Sequence, residues 1–350
     1  MASAVGTRQT AGMATVLLTG ASGFLGAHTI QHLLESGHEV RTFVRTPARL
    51  GEALRPLGVD PEDKRIVVAQ GDMTDVGAVR AAVEGCDSVV HAAATYSFKR
   101  RDRGAMLRDN TAGTRAVLEA GRDAGCRTLV HVSSTVALAT PGGATLDERS
   151  PVGPGHGPYS TSKAASEEVA RELQEAGAPV TIVNPGGVIG PDDPYLGESN
   201  AAVRQVLMGK LPIYPRGLQH YVDVRDTAAV LAAAVDHAPG GRYLVPGEGL
   251  VSMHEYLGSI TGRKLPVRLV PAGLAAASAM PGYLTGWDFL PGAVEGARIS
   301  GCANAVDSST TTRDLGVRAR PMRDALTDTV RWLVTAGHLP AKLAGQALPA

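Results

Sequence analysis

The sequence predicts an α/β protein, a doubly wound parallel sheet followed by a smaller C-terminal lobe. Three observations carry that expectation. Short apolar runs alternate with amphipathic stretches through the first half of the chain, the rhythm of strand–helix–strand crossovers. The first run meets its helix through three glycines at intervals of three, Gly20, Gly23 and Gly26. Past Pro191 the alternation lapses and Pro and Gly become frequent.

The elements justify this in order. Residues 16–18 are an apolar run ending at Thr19, and Phe24, Leu25, Ile30, Leu33 and Leu34 give the next stretch one apolar face. A strand, a tight turn and a helix follow from that pattern. Glycine permits positive φ and close approach of the backbone to a ligand. The N–H groups that open the helix have no intrahelical partner, so they can hold a phosphate. Gly20, Ser22, Gly23, Phe24, Leu25 and Gly26 are therefore candidate dinucleotide contacts.

A second strand, 40–44, ends at Arg45. That position lies about twenty residues past the glycine turn, where an acid would bond the adenosine ribose of NAD. An Arg there suits a 2′-phosphate instead, and Arg49 is placed to share that charge. The pattern favours NADP(H) over NAD(H), against the plainer reading of exposed, solubilising arginines. A third run, 66–69, leads to Gly71, Asp72 and Met73. Asp72 either accepts from an adenine amino group or caps a turn. Thr74 or Asp75 caps the helix that follows.

Strand 88–91 opens into Ala92, Ala93 and Ala94, small residues that leave room for a ligand or allow tight helix packing. The helix at about 104–124 contains Asn110, a poor mid-helix residue because its amide competes for backbone bonds. A buried, bridging Asn110 would explain its presence, whereas a solvated one needs no explanation. Strand 128–132 runs into Ser133, Ser134 and Thr135, and strand 180–183 into Asn184, Pro185, Gly186 and Gly187. Between them Tyr159 and Lys163 open a helix, four residues apart and so on one side of it. Right-handed crossovers bring all these strand ends to one sheet edge.

The expected organisation is a disordered tail at 1–12, a dinucleotide-binding unit at 13–187 and a substrate lobe at 188–218 and 246–340, with 219–245 returning to the first unit. Asp226 is a candidate helix cap within that return. A last amphipathic helix, about 322–336, should bury Leu326, Val330 and Leu333, with Trp332 near the same surface. The apolar stretch 265–290 is broken by Pro266, Pro271, Gly273, Pro281 and Gly282, so it is read as lobe core and not as a membrane anchor.

Composition narrows the function. Thirty-four basic residues balance 34 acidic ones, which gives no footprint for nucleic acid. The one basic cluster, 99–103, reads as a solvated loop. Cys86, Cys126 and Cys302 are widely spaced and include no C-x-x-C pair. That argues against disulfides and against a metal site, and suits the reducing cytoplasm.

Ser134, Tyr159 and Lys163 beside a dinucleotide suggest a chemistry. Hydride exchange between nicotinamide and a carbonyl carbon needs a proton moved at the oxygen. A free phenol, with a pKa of about 10, is a poor base at neutral pH. An ammonium about 4 Å away at an effective dielectric near 20 is worth roughly 4 kcal/mol, or about three pKa units. Desolvation opposes it. The expectation is that the lysine and the positive nicotinamide together outweigh burial and bring the phenol close to neutrality. Ser134 would stabilise charge on the carbonyl oxygen, and Lys163 could also bond the ribose. The bland alternative is a structural tyrosine beside a solvated lysine.

The sequence resembles the extended short-chain dehydrogenase/reductases, also called the NAD-dependent epimerase/dehydratases. T-G-A-S-G-F-L-G, H-A-A-A, V-S-S-T, Y-S-T-S-K and N-P-G-G-V-I-G-P occur in the family's order, and the resemblance runs from Met13 over nearly the whole chain. It implies a Rossmann fold with Ser134, Tyr159 and Lys163 as the catalytic triad. Asn110 is then a fourth member and Thr135 the rival for the hydroxyl role. Pro185 and Val188 would line the nicotinamide, and Asp72 and Met73 the adenine. Arg45 resembles the dihydroflavonol-reductase and cinnamoyl-CoA-reductase branch, which prefers NADPH. Asn184 departs from the Arg that many members carry before the Pro. Arg204, Lys210 and Arg216 are available to grip a diphosphate, without a clear match to the family's basic positions.

The reading that follows is a cytoplasmic NADPH-dependent reductase acting on a ketone or aldehyde of a small, apolar substrate. Nucleotide-sugar epimerase or dehydratase, hydroxysteroid dehydrogenase and a non-enzymatic dinucleotide sensor are the alternatives. Tyr96, Phe98, Met208 and Tyr214 either line the substrate pocket or pack. The resemblance implies a homodimer through two helices of the first lobe, with monomers also found in the family.

Overall fold

The computed structural model describes residues 12–97, 100–211, 213–216, 218–285 and 292–348. The expected tail lies, apart from Gly12, outside the described residues, as do Phe98 and Lys99. β1 (Thr15–Thr19) turns into α1 (Phe24–Glu35), and β2 (Glu39–Val44) into α2 (Ala48–Leu54). β3 (Ile66–Gln70), α3 (Val76–Val83), β4 (Ser88–His91) and the long α4 (Arg103–Asp123) follow. β5 (Thr128–Val132), α5 (Pro158–Glu175) and β6 (Val180–Asn184) complete the alternation.

After β7 (Gly187–Ile189), α6 (Glu198–Leu207), β8 (Ile213–Arg216) and β9 (Gln219–Asp223), the chain returns through α7 (Val224–Asp236) to β10 (Arg242–Leu244). The remainder is β11 (Leu250–Val251), α8 (Met253–Thr261), β12 (Arg268–Pro271), α9 (Ala272–Thr285), α10 (Ala293–Cys302), α11 (Ser309–Leu315) and α12 (Met322–Thr335).

Seven strands form the main sheet in the order β3-β2-β1-β4-β5-β6-β10, all parallel. This is the doubly wound sheet that the alternation predicts. Every residue of β4, β5 and β6 is buried, as expected of strands covered by helices on both faces. The order reverses between β1 and β4, and a crevice opens at the carboxyl ends of strands on either side of such a reversal. One core, with Val16, Leu18, Ile30 and Leu33, fills one face of the sheet; another, with Leu17, Leu118, Leu129 and Leu173, fills the other. A third gathers Ile189, Leu207, Leu257, Leu326, Val330 and Leu333, with Trp332 partly buried against it.

Three expectations need correcting. The return at 219–245 is not wholly to the main sheet. β9 lies between β7 and β11 in a separate three-stranded sheet, because the chain has already left the main sheet at Gly187, and β9 pairs with it there. Asp223, not Asp226, caps α7 by accepting from the Arg225 N–H; Asp226 bonds the backbone and guanidinium of Arg320 instead. The stretch 265–290 is only partly core. α9 buries Ala275 and Ala276 but leaves Leu274 and Leu284 exposed, and residues 286–290 lie outside the described ones. No helix among the described residues is long and apolar enough to cross a membrane. The three cysteines are free and buried.

β5 carries a polar defect. His131 stacks on His91 at 5.7 Å, and both of its ring nitrogens are buried without a partner among the described residues. His91 is satisfied by Thr19 at 2.8 Å and Thr114 at 3.2 Å. Burial pushes the His131 pKa well below its ordinary value, so the ring is neutral. An unpaired buried polar group costs about 1–3 kcal/mol. His131→Leu should therefore raise the melting temperature by about 2–4 °C, measured by thermal unfolding at neutral pH; a lower melting temperature would contradict this.

Candidate active site

The glycine turn is built by exclusion of side chains. Gly20 has φ 74°, and a Cβ there would lie 2.8 Å from the Ala93 nitrogen. A Cβ at Gly26 would lie 2.1 Å from the Gly20 carbonyl oxygen, so helix and turn meet backbone to backbone. No side chain caps α1, whose N-cap is Gly23. Its first-turn N–H groups therefore face the crevice, the arrangement that receives a phosphate at a helix N-terminus. On this geometry the chain fits a dinucleotide.

A cleft of about 830 Å³ runs from this turn across the sheet edge into the C-terminal part of the chain. Gly20, Ser22, Gly23, Phe24, Leu25 and Gly26 line one end, with Arg45, Arg49, Asp72 and Met73 at its mouth. Ala92, Ala93 and Ala94 form the floor beside them, and Ser134, Thr135, Tyr159, Lys163, Pro185 and Val188 the middle. Asn110 is the one catalytic candidate outside the lining. It is buried in α4, accepts from the Thr95 N–H at 2.7 Å, and donates to the Thr95 carbonyl and the Ser162 hydroxyl, both at 2.9 Å. It bridges the loop after β4 to α5.

The mouth is electrostatically mixed. Arg45 is 75% exposed and sits 4.0 Å from Asp72, while the Arg49 guanidinium lies 5.7 Å from the centre of the Tyr195 ring. Asp72 turns out to cap its own turn, accepting from the Thr74 N–H at 2.9 Å and the Thr74 hydroxyl at 2.7 Å. Those bonds hold its carboxyl below the ordinary carboxylate range, with Arg45 a smaller contributor. Asp75 caps α3.

Tyr159 sits in the first turn of α5, half-buried, with its ring edge-to-face on Tyr96 at 4.5 Å. The Ser134 hydroxyl hydrogen-bonds the phenol and also donates to the Pro185 carbonyl at 3.3 Å. Lys163 is buried one turn along, and its ammonium donates to the Val132 carbonyl at 3.0 Å. The chain's own groups do not by themselves bring the phenol toward neutrality. Burial, and then the Glu295 carboxylate, push the Tyr159 pKa above its ordinary value, and the Ser134 bond offsets this only in part. Burial also lowers Lys163 to about 8, against the pull of Glu167. Burial disfavours the charged form of both groups.

Asn184, the departure from the family pattern, has a role in the packing. Its amide donates to Glu167 at 2.7 Å and to the Ser134 carbonyl at 3.2 Å. Glu167 also receives the Ser133 hydroxyl at 2.5 Å and pairs with Arg171. A fully buried charge is tolerated only when paired and bonded in this way. The network anchors the backbone of the strand end that presents Ser134.

The far end of the cleft is made by residues that no motif marks: Leu146, Leu218, Leu250, Ile299 and Val306, with Gln219 and Asn304 among them. Of the four candidate pocket residues, Tyr96 lines it, Met208 and Tyr214 pack on the C-terminal core, and Phe98 lies outside the described residues. Arg204 donates to the His338 carbonyl, away from the cleft, and neither Lys210 nor Arg216 lines it. Glu295 is the other residue that sequence reasoning missed. It is 2% exposed and meets α5 from 136 residues away, in a helix with no motif to single it out.

The profile of the NAD dependent epimerase/dehydratase family matches residues 16–245. The chain belongs to that family. Its members and relatives are NAD(P)-dependent oxidoreductases, epimerases and dehydratases, and this chain is an enzyme of that kind. A putative dihydroflavonol 4-reductase of Synechocystis sp. is 31% identical over 335 residues, covering 92% of this chain and 95% of that protein. Sterol demethylase protein B of Methylococcus capsulatus is 32% identical over 336 residues, covering 93% and 100%. The crystal structure of gox2253 superposes with a TM-score of 0.77 at 27% identity, covering 93% of this chain and 99% of that one.

Proposed function

We propose that this member of the family is an NADPH-dependent reductase of a ketone or aldehyde on a small, apolar substrate. The observation that carries this is the distribution of charge along the cleft. Among the described residues, the lysines and arginines that line it are Arg45, Arg49 and Lys163. Two of these lie at the end beyond the glycine turn, where a 2′-phosphate would sit, and the third belongs to the middle. The far end offers Leu146, Leu218, Leu250, Ile299 and Val306, a lining suited to an apolar body and not to a nucleotide diphosphate. The name of the Synechocystis relative supports the same reading.

The glycine turn and the α1 N-terminus would hold the pyrophosphate, and Pro185 and Val188 the nicotinamide. When bound, the cofactor supplies the hydride. The protein's part is proton and charge management at the carbonyl oxygen. Tyr159, whose proton is held tightly by burial and by Glu295, is an acid at neutral pH and gives that proton to the oxygen. Ser134 donates to the same oxygen as charge builds there. Lys163 keeps a positive charge below pH about 8 and so eases the loss of the phenolic proton. A protonated phenol at rest favours carbonyl reduction over alcohol oxidation.

A second reading within this class, an alicyclic carbonyl of sterol type, is supported by the name of the Methylococcus relative and by the apolar far end. The test is NADPH consumption, followed by its absorbance, across a panel of aromatic, aliphatic and steroid ketones and aldehydes. NAD carried through purification together with turnover of UDP- or dTDP-sugars would overturn the proposal, and so would NADPH binding without turnover of any carbonyl.

A further inference from the structure

The first turn of α5 carries Tyr159 yet cannot cap itself. Its N-cap is Gly157, which has no side chain, and the Ser160 hydroxyl is turned back to the N–H groups of His156 at 2.7 Å and Gly157 at 3.1 Å. The open N–H groups of Tyr159 and Ser160 are met instead by Glu295 of α10, at 3.2 Å and 2.6 Å. A carboxylate there also complements the positive end of the helix dipole. Gly157 is fitted to this partner, since a Cβ on it would fall 2.5 Å from the Glu295 carboxyl carbon.

α10 faces two ways. Gly296 and Ile299 line the far end of the cleft, while Glu295, one residue from Gly296, reaches the catalytic turn. The helix is tied to the segment before α5 as well. Arg298 donates to the His156 carbonyl at 3.1 Å, and the Cys302 thiol contacts the His156 ring at 3.4 Å.

We propose that Glu295 is a positioning residue for Tyr159: a carboxylate from the C-terminal part of the chain that fastens the first turn of the catalytic helix and couples substrate seated on α10 to that turn. The proposal rests on the hydride-transfer reading of the site. Capping by a carboxylate, and not by the usual Ser, Thr or Asn, brings a negative charge beside the phenol and helps hold its proton. The other groups facing this turn are Tyr96 across the cleft, Ser134 on the strand end, and Lys163 along α5, whose ammonium is engaged by the Val132 carbonyl and favoured by Glu167. His156 and Arg298 stand on the far side of Glu295. None of them is an acid able to replace it at the α5 N–H groups.

The test uses the NADP-loaded enzyme and reads alcohol oxidation, where Tyr159 must first lose its proton, as a function of pH. In Glu295→Gln the acid limb of kcat should move about one unit toward lower pH as the neighbouring charge is removed. In carbonyl reduction kcat should fall roughly tenfold to a hundredfold, the range for a displaced reacting group, with KM for NADPH nearly unchanged. Gly157→Ala, whose new methyl displaces the carboxylate from the other side, should shift the limb in the same direction. Glu295→Asp keeps the charge and should recover part of the loss.

If the acid limb stays in place in Glu295→Gln and in Gly157→Ala, the proposal is overturned, even when activity or melting temperature falls, because a purely structural cap would do that. Tyr159→Phe run in parallel separates the two levels. An active Tyr159→Phe refutes the reading of the site itself, whereas an inactive one beside unshifted Glu295 variants refutes only the role of Glu295.

Discussion

Tyr159→Phe should lower carbonyl reduction by about a hundredfold to ten-thousandfold, the range for loss of a general acid, and leave NADPH affinity within about twofold. The structure isolates the hydroxyl from the scaffold. One contact that holds the ring is its edge-to-face packing on Tyr96 at 4.5 Å, which phenylalanine keeps. The contact that holds the turn uses the Tyr159 backbone N–H, which is also unchanged. What disappears is the proton at the carbonyl oxygen and the bond to Ser134. Single-turnover measurements with saturating NADPH would show the loss in the hydride-transfer step, and a fluorescence titration would show cofactor binding intact. Retained turnover would remove Tyr159 from the chemistry.

The same site predicts how activity should depend on pH. Tyr159 titrates above the ordinary phenol range, so it stays protonated through neutral and mildly alkaline solution. Lys163 titrates near 8, lowered from 10.5 by burial. Its charge is therefore present below about pH 8 and lost above it, and reduction should decline through that value, not near 10. Stability should move the other way. Between about 8 and 10.5 the unfolded chain binds the lysine proton and the folded chain does not, so this group's contribution grows with pH over that window. A kcat profile beside denaturant melts at the same pH values would test both halves. Activity that holds to pH 10 would mean that the ammonium is not needed.

Local geometry was legible in the sequence and long-range electrostatics was not. Gly20, Gly23 and Gly26 declare a turn because the backbone contacts there leave no room for a Cβ, a constraint that acts within a few residues. Strand ends are also local features, and they bring Ala92, Ser134 and Pro185 to one cleft with Tyr159 of α5. The sign of the Tyr159 shift could not be read. It depends on how deeply α5 is covered and on an acid 136 residues away. A pairwise estimate between Tyr159 and Lys163 knows neither, nor that the lysine is held by the Val132 carbonyl. Asn110 shows the opposite balance. An amide in mid-helix signalled a buried bridge, and its partners at Thr95 and Ser162 explain why the helix tolerates it. The apolar far end depends on folding Leu146 and Val306 together across a bridge between segments 160 residues apart in sequence or nearly so, as the Asn304 bond to Ala144 also does. No local pattern carries that information.

Arg45→Asp should reverse cofactor preference. Arg45 directly follows β2, where the side chain faces the adenosine ribose in a dinucleotide site of this kind. A charge-assisted bond to a phosphate is worth about 1.5–3 kcal/mol, which corresponds to about tenfold to a hundredfold in affinity. The substitution removes that bond and places a carboxylate where a dianionic phosphate would lie, beside Asp72, now without its basic neighbour at 4.0 Å. The same carboxylate can accept from the ribose hydroxyls of NAD, so the two effects add. The ratio of kcat/KM for NADPH over NADH should fall by at least about a hundredfold, most of it in KM, since nothing at Tyr159 or Ser134 is touched. Because Arg45 is 75% exposed, the wild-type preference should also weaken with added salt. Arg49 limits the reversal. It stays at the cleft mouth against the Tyr195 ring and can still reach a phosphate, so Arg45→Asp with Arg49→Ala should shift the ratio further than Arg45→Asp alone. An unchanged ratio in the double variant would mean that the two arginines do not choose the cofactor.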